Sequence, residues 1–562
     1  MPPHFAVKCL DCGSVGVFSA HKPTCEKCGS QWREAIYDYA HIGKILPELL
    51  ASRPFNIWRY RELLPIQVPD SAITFGEGGT PLIHAENLGS MLGNPNIYIK
   101  DERQNPTSSF KDRQATITIS SIKEANISEF VCASTGNVAI SYSAYAARAG
   151  IKLWAFLTSL VPETKMREVA LYGTQVVKVT GSYDQTKRIA EEFAKQRGIT
   201  LDLGARSIPC VEGMKTISYE IVEQLSALPS VRKATPKNDD SLIWQSPDWY
   251  IQSVSGGLGP LGVIKGFAEL EKMKLIQNFP KFGIVQVDGC APMVHAWRQD
   301  RESAVPVQSP RTLIATLATG DPGRTYTELR KNISNYSQGV FESVSDDEAF
   351  RAMHLLAKME GISVEPAAAV AFAGLIKMVR SGVIKPDEVV VINCTGHTTP
   401  IEPHILGEGW GHEIDASTSL TTENREEGLL AALSNVSLEK FPRIAIVDDE
   451  PHVRRLVSRI LQSQGNYTLF EAENGRQAIE LIKRERPNLV ILDLMMPEVD
   501  GFTVMETMQQ NKETCDIPII VITAKELTRA EKERLKGHIQ SLMQKGDFMS
   551  DELLDEVKAL IK

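Results

Sequence analysis

The 562-residue sequence contains no apolar run long enough to cross a bilayer. Its best stretch, Ser143 to Val161, is interrupted by Arg148 and Lys152. A disulfide framework is also missing: four of the nine cysteines cluster in two pairs near the N-terminus and five are scattered singly. Met1-Pro-Pro-His lacks the basic-then-apolar order of a secretory signal. No excess of positive charge exists. The formal net charge of −9 argues against nucleic acid or an anionic membrane as the main partner. Internal repeats and low-complexity tracts are absent too. These absences predict a cytoplasmic protein. What remains is the composition of an ordinary globular chain, 43% hydrophobic and 23% charged, and its length calls for roughly two to four cores.

Residues 1–32 are rich in cysteine and turn formers. From 33 to about 415, short β-branched runs alternate with helical patterns, which predicts a parallel α/β sheet. The runs are Ile97-Tyr-Ile-Lys100, Val176–Val179, Tyr250–Ser253, Gly283–Val287 and Val389–Asn393. Residues 416–440 read as a linker with a short helix around Leu429 to Leu433. A second alternation fills 441–562, with strands expected at Ile444–Val447, Leu489–Leu492, Ile519–Ile522 and near Ile539.

Cys9-x2-Cys12 and Cys25-x2-Cys28 form two knuckles, each followed by glycine. Two such turns can direct four thiolates at one tetrahedral Zn²⁺, and four protein ligands close the site, which marks the metal as structural. A pair of redox dithiols is the plainer alternative.

Four separated pieces follow. Ser108-Ser-Phe-Lys-Asp-Arg113 opens a helical stretch, and a lysine driven toward neutrality there can form a Schiff base. Cys132-Ala-Ser-Thr-Gly-Asn137 precedes the helical run Val138 to Ala149, so its hydroxyls and free N–H groups can cradle a carboxylate. Ser253-Val-Ser-Gly-Gly-Leu-Gly-Pro-Leu-Gly262 exposes backbone N–H groups to a phosphate. It also contains the spacing G-x-G-x-x-G, and Asp288 ends the next strand, so a dinucleotide-binding oxidoreductase is an alternative. Asn393-Cys-Thr-Gly-His397 ends the strongest strand and offers a hydroxyl. Alone, each piece reads equally as a surface lysine, a helix cap, a turn or a strand end.

Together the pieces resemble the threonine synthase branch of the fold-type-II pyridoxal phosphate (PLP) enzymes, some of which carry a zinc ribbon in front. Gly76-Glu-Gly-Gly-Thr-Pro-Leu82, Ser109–Arg113, Ala133–Asn137, Glu360–Pro366 and Thr395-Gly-His397 carry the likeness. The resemblance implies a tryptophan-synthase-β-like fold with PLP on Lys111, which would also shuttle protons. Asn137 would bond the ring 3′-oxygen, Gly256, Gly257, Leu258 and Gly259 the cofactor phosphate, and Thr395 the pyridine nitrogen. Ser134 and Thr135 would hold the substrate carboxylate, with Ser108 and Ser109 near a substrate phosphate. The implied reaction turns O-phosphohomoserine and water into threonine and phosphate in a homodimer. The loop Gly256-Gly-Leu-Gly-Pro260 departs from the usual Gly-Asn-x-Gly-Asn, and His397-Thr-Thr-Pro400 replaces a glycine-lysine stretch. A cysteate-synthase-like β-replacement and a hydroxy-amino-acid ammonia-lyase reaction therefore stand as alternatives.

In the last stretch Asp448, Asp449 and Asp493 follow β-rich runs, Thr523 ends another, and Lys545 lies past a fourth. At strand carboxyl ends these groups share one crevice. Three carboxylates suit Mg²⁺, and a hydroxyl with an ammonium can steady a phosphoryl group. The stretch resembles the doubly wound, flavodoxin-like receiver domain of response regulators. That implies phosphorylation of Asp493, Mg²⁺ on the three aspartates, phosphoryl contacts from Thr523 and Lys545, and a sensor histidine kinase or phosphotransfer protein as partner. Leu542 stands where an aromatic switch is common and Gly546 where proline is. A PLP domain acting only as a ligand sensor for such a relay is a further alternative.

Overall fold

The computed structural model describes residues 4–159, 161–228, 243–336, 338–397, 442–464, 467–524, 527–545 and 550–561. The expected linker at 416–440, with its helix near Leu429, and Gly546 lie outside them. The chain forms two compact units.

At the start of the first unit, Phe5–Cys9 pairs antiparallel with Val15–Gly16 on one side and Arg33–Tyr37 on the other. Alternation in FAVKC buries Phe5, Val7 and Cys9 on one face, the period-2 pattern of a strand with one covered side.

The main sheet has six strands in the order Gly339–Val344, Lys281–Val287, Trp249–Ser253, Val390–Cys394, Ile97–Asp101 and Leu82–His84. All neighbours are parallel except the last pair. Trp249–Ser253, Val390–Cys394 and Ile97–Asp101 are buried at every residue. Each therefore opens on a β-branched or aromatic run and carries its polar residues, Gln252, Ser253, Asn393, Lys100 and Asp101, buried at the carboxyl end. A second parallel sheet is ordered Gln175–Val179, Lys152–Thr158, Glu129–Ser134 and Thr200–Leu201. The expected strand at 176–179 belongs to this sheet. Ser143 to Val161 is the end of one helix and the strand Lys152–Thr158. No helix among the described residues is long and apolar enough to cross a membrane.

Helices Lys111–Glu124, Ile208–Ala227 and Leu258–Lys272 pack together, and small residues let them approach. A Cβ at Gly262 would lie 2.5 Å from Met214 Cβ. Two of these helices supply Arg113 and Glu220 to a fully buried charge network. Arg113 bonds Glu102 at 2.7 Å and Glu220 at 2.6 Å, and Lys100 bonds Glu220 at 2.7 Å. Each charge faces an opposite one, the only economical way to keep ions out of water.

The second unit has five parallel strands in the order Thr468–Ala472, Arg443–Val447, Leu489–Leu492, Ile519–Thr523 and Ser541–Gln544. Two details correct the sequence reading. Thr468–Ala472 was not expected, because an edge strand with a half-exposed TLFEA pattern lacks a continuous apolar run. The last strand begins at Ser541, two residues beyond Ile539, and its alternating SLMQ is again an edge pattern.

Candidate active site and phosphoacceptor pocket

In the first unit the carboxyl ends of both sheets open on a cavity of about 550 Å³. This is the crevice where open α/β sheets bind ligands. Lys111, Ser134, Thr135 and Gly256 to Gly259 line it. A smaller adjoining space of about 80 Å³ is lined by Lys111, Asn137, Thr395 and Glu365. The four sequence pieces thus meet around one lysine. Ser108 and Ser109 line neither space. They pair along the backbone with the segment after Val390–Cys394, His397 N–H donating to Ser108 O at 3.0 Å and Ser109 bridging to Gly396.

Lys111 is the first residue of its helix, and its Nζ lies 4.1 Å from the centre of the Phe110 ring. Burial pushes its ammonium down to about 8, opposed by the charges of Cys210, Glu365 and Asp202. Among the described residues no carboxylate is in ion-pair contact with it. The neighbouring Asp112 accepts from Thr107 N–H at 2.7 Å and Thr107 Oγ1 at 2.5 Å, which anchors the chain entering the helix.

Ser134 ends the strand Glu129–Ser134, and its Oγ accepts from Gly136 N–H at 3.0 Å and Ala139 N–H at 3.1 Å. Both bonds use the oxygen, so the hydroxyl hydrogen is left to donate. Asn137 opens the next helix. Its Nδ2 donates to both Glu365 oxygens at 2.9 and 3.0 Å, and its Oδ1 accepts from Lys165 at 3.0 Å. Glu365 was quoted above only as part of a motif, and Lys165 was not singled out. A glutamate directly before a helix-opening proline was the available signal for Glu365.

The glycine loop begins where Trp249–Ser253 ends and runs into the 15-residue helix Leu258–Lys272. Gly257 has φ +85°, and a Cβ there would lie 2.8 Å from Leu329 Cδ1. Only glycine suits that backbone and that space. At Gly256 a Cβ would meet nothing within 4 Å. An open glycine turn ahead of a helix N-terminus is the donor geometry a phosphate requires. With a lysine near neutrality, buried hydroxyl groups and sufficient volume, these residues fit PLP. Asp288, the acid of the dinucleotide alternative, is exposed beyond its strand.

The four cysteine sulfurs lie within 4.8 Å of one another. Gly13 and Gly29 adopt φ of +70° and +75°, and their N–H groups donate to Cys9 O and Cys25 O. This donor set suits one tetrahedral Zn²⁺.

In the second unit Asp448, Asp449 and Asp493 also place carboxylate oxygens within 4.8 Å. Lys545 Nζ bonds Asp493 Oδ2 at 2.7 Å, Asp448 Oδ2 at 2.8 Å and Glu450 Oε1 at 3.2 Å. Burial lowers the Lys545 ammonium, but Asp448 and Asp493 outweigh it and the net shift is upward. Burial raises the Asp448 carboxyl, although Lys545 opposes the shift. Thr523 is buried at its strand end and accepts from Lys545 N–H through its carbonyl at 2.8 Å. Glu450 is a fourth acid in the pocket that sequence reasoning passed over, although it directly follows the aspartate pair. Leu542 is 41% exposed.

Residues 73–396 match the family model described as pyridoxal-phosphate dependent enzyme, and residues 444–558 match that of the response regulator receiver domain. A threonine synthase of Methanocaldococcus jannaschii is 37% identical over 393 residues, which is 69% of this chain and 91% of that protein. A threonine synthase of Methanosarcina acetivorans is 32% identical over 394 residues, 70% of this chain and 91% of that protein. Among solved structures, the processed form of threonine deaminase isoform 2 from Solanum lycopersicum matches with a TM-score of 0.49 at 22% identity. That match covers 63% of this chain and 88% of that one.

Proposed function

We propose, from the premise that this chain belongs to the pyridoxal-phosphate-dependent enzyme family, in its threonine synthase branch, and carries a receiver domain, that it makes threonine and phosphate from O-phosphohomoserine and water under control of aspartyl phosphorylation. The observation that carries this reading is the meeting of Lys111, the Ser134–Thr135 cradle and the glycine loop around one cavity. The family removes the oxidoreductase alternative.

When bound, PLP supplies an electron sink that eases ionisation of hydrogens near the amino carbon. Gly256, Gly257, Leu258 and Gly259 would hold its phosphate, Asn137 its ring oxygen and Thr395 its ring nitrogen. Lys111 would anchor the cofactor. With an affinity for protons near pH 8, Lys111 can take and return hydrogens at substrate Cα, Cβ and Cγ. Ser134 and Thr135 would fix the substrate carboxylate by hydroxyl and backbone donors, so that Cα faces Lys111. Phosphate leaves Cγ, and water adds at Cβ to complete threonine. The residues Cys9, Cys12, Cys25 and Cys28 would hold a structural Zn²⁺.

In the receiver, Mg²⁺ on Asp448, Asp449 and Asp493 would neutralise charge while Asp493 accepts phosphate from a histidine kinase or phosphotransfer protein. Lys545 would then turn from the acids to the new phosphoryl oxygens, and Thr523 would contact them too. The signal would reach the catalytic unit by altering dimerisation or the 416–440 linker, a two-state bias of about 1–3 kcal/mol.

The test is product analysis of the PLP-loaded protein given O-phosphohomoserine, phosphoserine, serine and threonine in parallel, with and without a small-molecule phosphodonor. Threonine and phosphate from the first substrate alone support the synthase. Product only from phosphoserine, supplied together with sulfite as the incoming nucleophile, supports the β-replacement, and ketoacid from serine or threonine the lyase. Silence on all four sinks the enzyme reading and favours the ligand sensor. Rates that ignore the phosphodonor, with Asp493 demonstrably phosphorylated, sink the regulation.

A further inference from the structure

The four-cysteine module touches the cavity with side chains that no part of the proposed chemistry uses. Trp32 lies four residues beyond Cys28 and lines the same cavity as Lys111 and the glycine loop. Its carbonyl accepts from Leu10 N–H at 2.9 Å, and its own N–H donates to Ser30 Oγ at 3.0 Å. Those bonds tie Trp32 to both knuckles. Asp11, inside the first knuckle, pairs with Arg324 at 2.6 Å. The Arg324 guanidinium is 5.1 Å from the centre of the Trp32 ring and also pairs with Glu328 at 2.6 Å. Arg206 Nη1 donates to Gln31 Oε1 at 2.5 Å. Arg206 and Arg324 both line the cavity.

A tryptophan with a guanidinium over its face makes a wall that is rigid for its size. This wall rests on residues one to four positions from a cysteine. Such spacing leaves little slack, so the knuckles dictate where Trp32 stands.

We propose that the four-cysteine module is part of the substrate site, with Trp32 and the Asp11–Arg324 pair forming the cavity wall that sets amino-acid affinity. The inference rests on the reading of this cavity as a PLP-dependent amino-acid site. It makes Trp32 a specificity-determining residue and Asp11 a positioning residue that acts through Arg324.

The test uses full-length, PLP-loaded protein and the variants Trp32→Ala, Asp11→Asn, Arg324→Gln and the Asp11→Asn/Arg324→Gln pair. The probe is whichever of O-phosphohomoserine, phosphoserine, serine and threonine perturbs the wild-type cofactor absorbance, and that change gives its Kd. Trp32→Ala is expected to raise Kd about tenfold. Asp11→Asn, which breaks an ion pair that is 40% and 34% exposed, is expected to raise it about threefold. Zinc content and PLP uptake should remain at wild-type levels, and KM should move while kcat holds. The double variant should be no weaker than Arg324→Gln alone, the signature of residues acting as a unit. Unchanged Kd in Trp32→Ala and Asp11→Asn, with zinc and PLP retained, would overturn the inference, as would a PLP-loaded wild type that responds to none of the four. Failure of the underlying reading looks different: the wild-type protein would take up no PLP at Lys111.

Discussion

Lys111 and Lys545 each stand in a crevice made by the carboxyl ends of parallel strands, and their surroundings are opposite. Lys111 has an aromatic ring beside it and, among the described residues, no carboxylate in contact, and burial drives its ammonium down to about 8. Lys545 has three acids within 3.2 Å and is raised. One fold principle therefore sets up the two uses proposed for the same side chain. Starved of partners, a lysine becomes a base and a nucleophile; surrounded by carboxylates, it becomes a fixed positive charge that can follow a phosphoryl group.

The sharpest ways to break this comparison remove Lys111 itself and the acid that Lys545 holds. Lys111→Ala should abolish covalently held PLP, seen in the cofactor absorbance, and lower kcat by about a thousandfold. Asp493→Asn should abolish incorporation of labelled phosphate from acetyl phosphate, because an amide oxygen is not the nucleophile a carboxylate is. Arg113→Ala leaves Glu102 and Glu220 buried against a lost cation. It should lower the stability of the catalytic unit by about 3–5 kcal/mol in denaturant unfolding.

Substituting the lysines by an isosteric apolar residue sharpens the contrast. Lys545→Met strips the compensating charge from Asp448 and Asp493 and should destabilise the receiver transition by about 1–3 kcal/mol, with Mg²⁺ restoring it. Lys111→Met removes a charge that the fold disfavours. The folded value of about 8 lies below the ordinary 10.5, so between those pH values the unfolded chain carries a proton that the folded chain has released. Stability of PLP-free wild type, measured relative to Lys111→Met, should therefore rise with pH across that window and be flat below it.

Much of this architecture was legible in short stretches. The buried strands betray themselves by the apolar or β-branched residues that open them, and the paired cysteines with their glycines need only local geometry. Thr468–Ala472 and Ser541–Gln544 were hard to read because an edge strand faces water along one side and carries no continuous apolar signal. The cysteine knuckles and the roles proposed for the PLP-site and receiver residues rest on short motifs or on residues at strand ends.

Sequence by itself pointed to the two α/β units, and to the lysine, the Ser134–Thr135 segment and the glycine loop, because each of these short pieces depends on neighbours a few positions away; the acids of the second unit were read from their place at strand ends. Tertiary structure alone decided what surrounds them. Glu365 reaches Asn137 across 228 positions, and Lys165 completes that contact from another helix. Arg324 comes to Trp32 and Asp11 from the start of the distant helix Arg324–Tyr336. Whether a lysine is lowered or raised was settled the same way, since charge and burial act through distance in space, and separation along the chain says nothing of that distance.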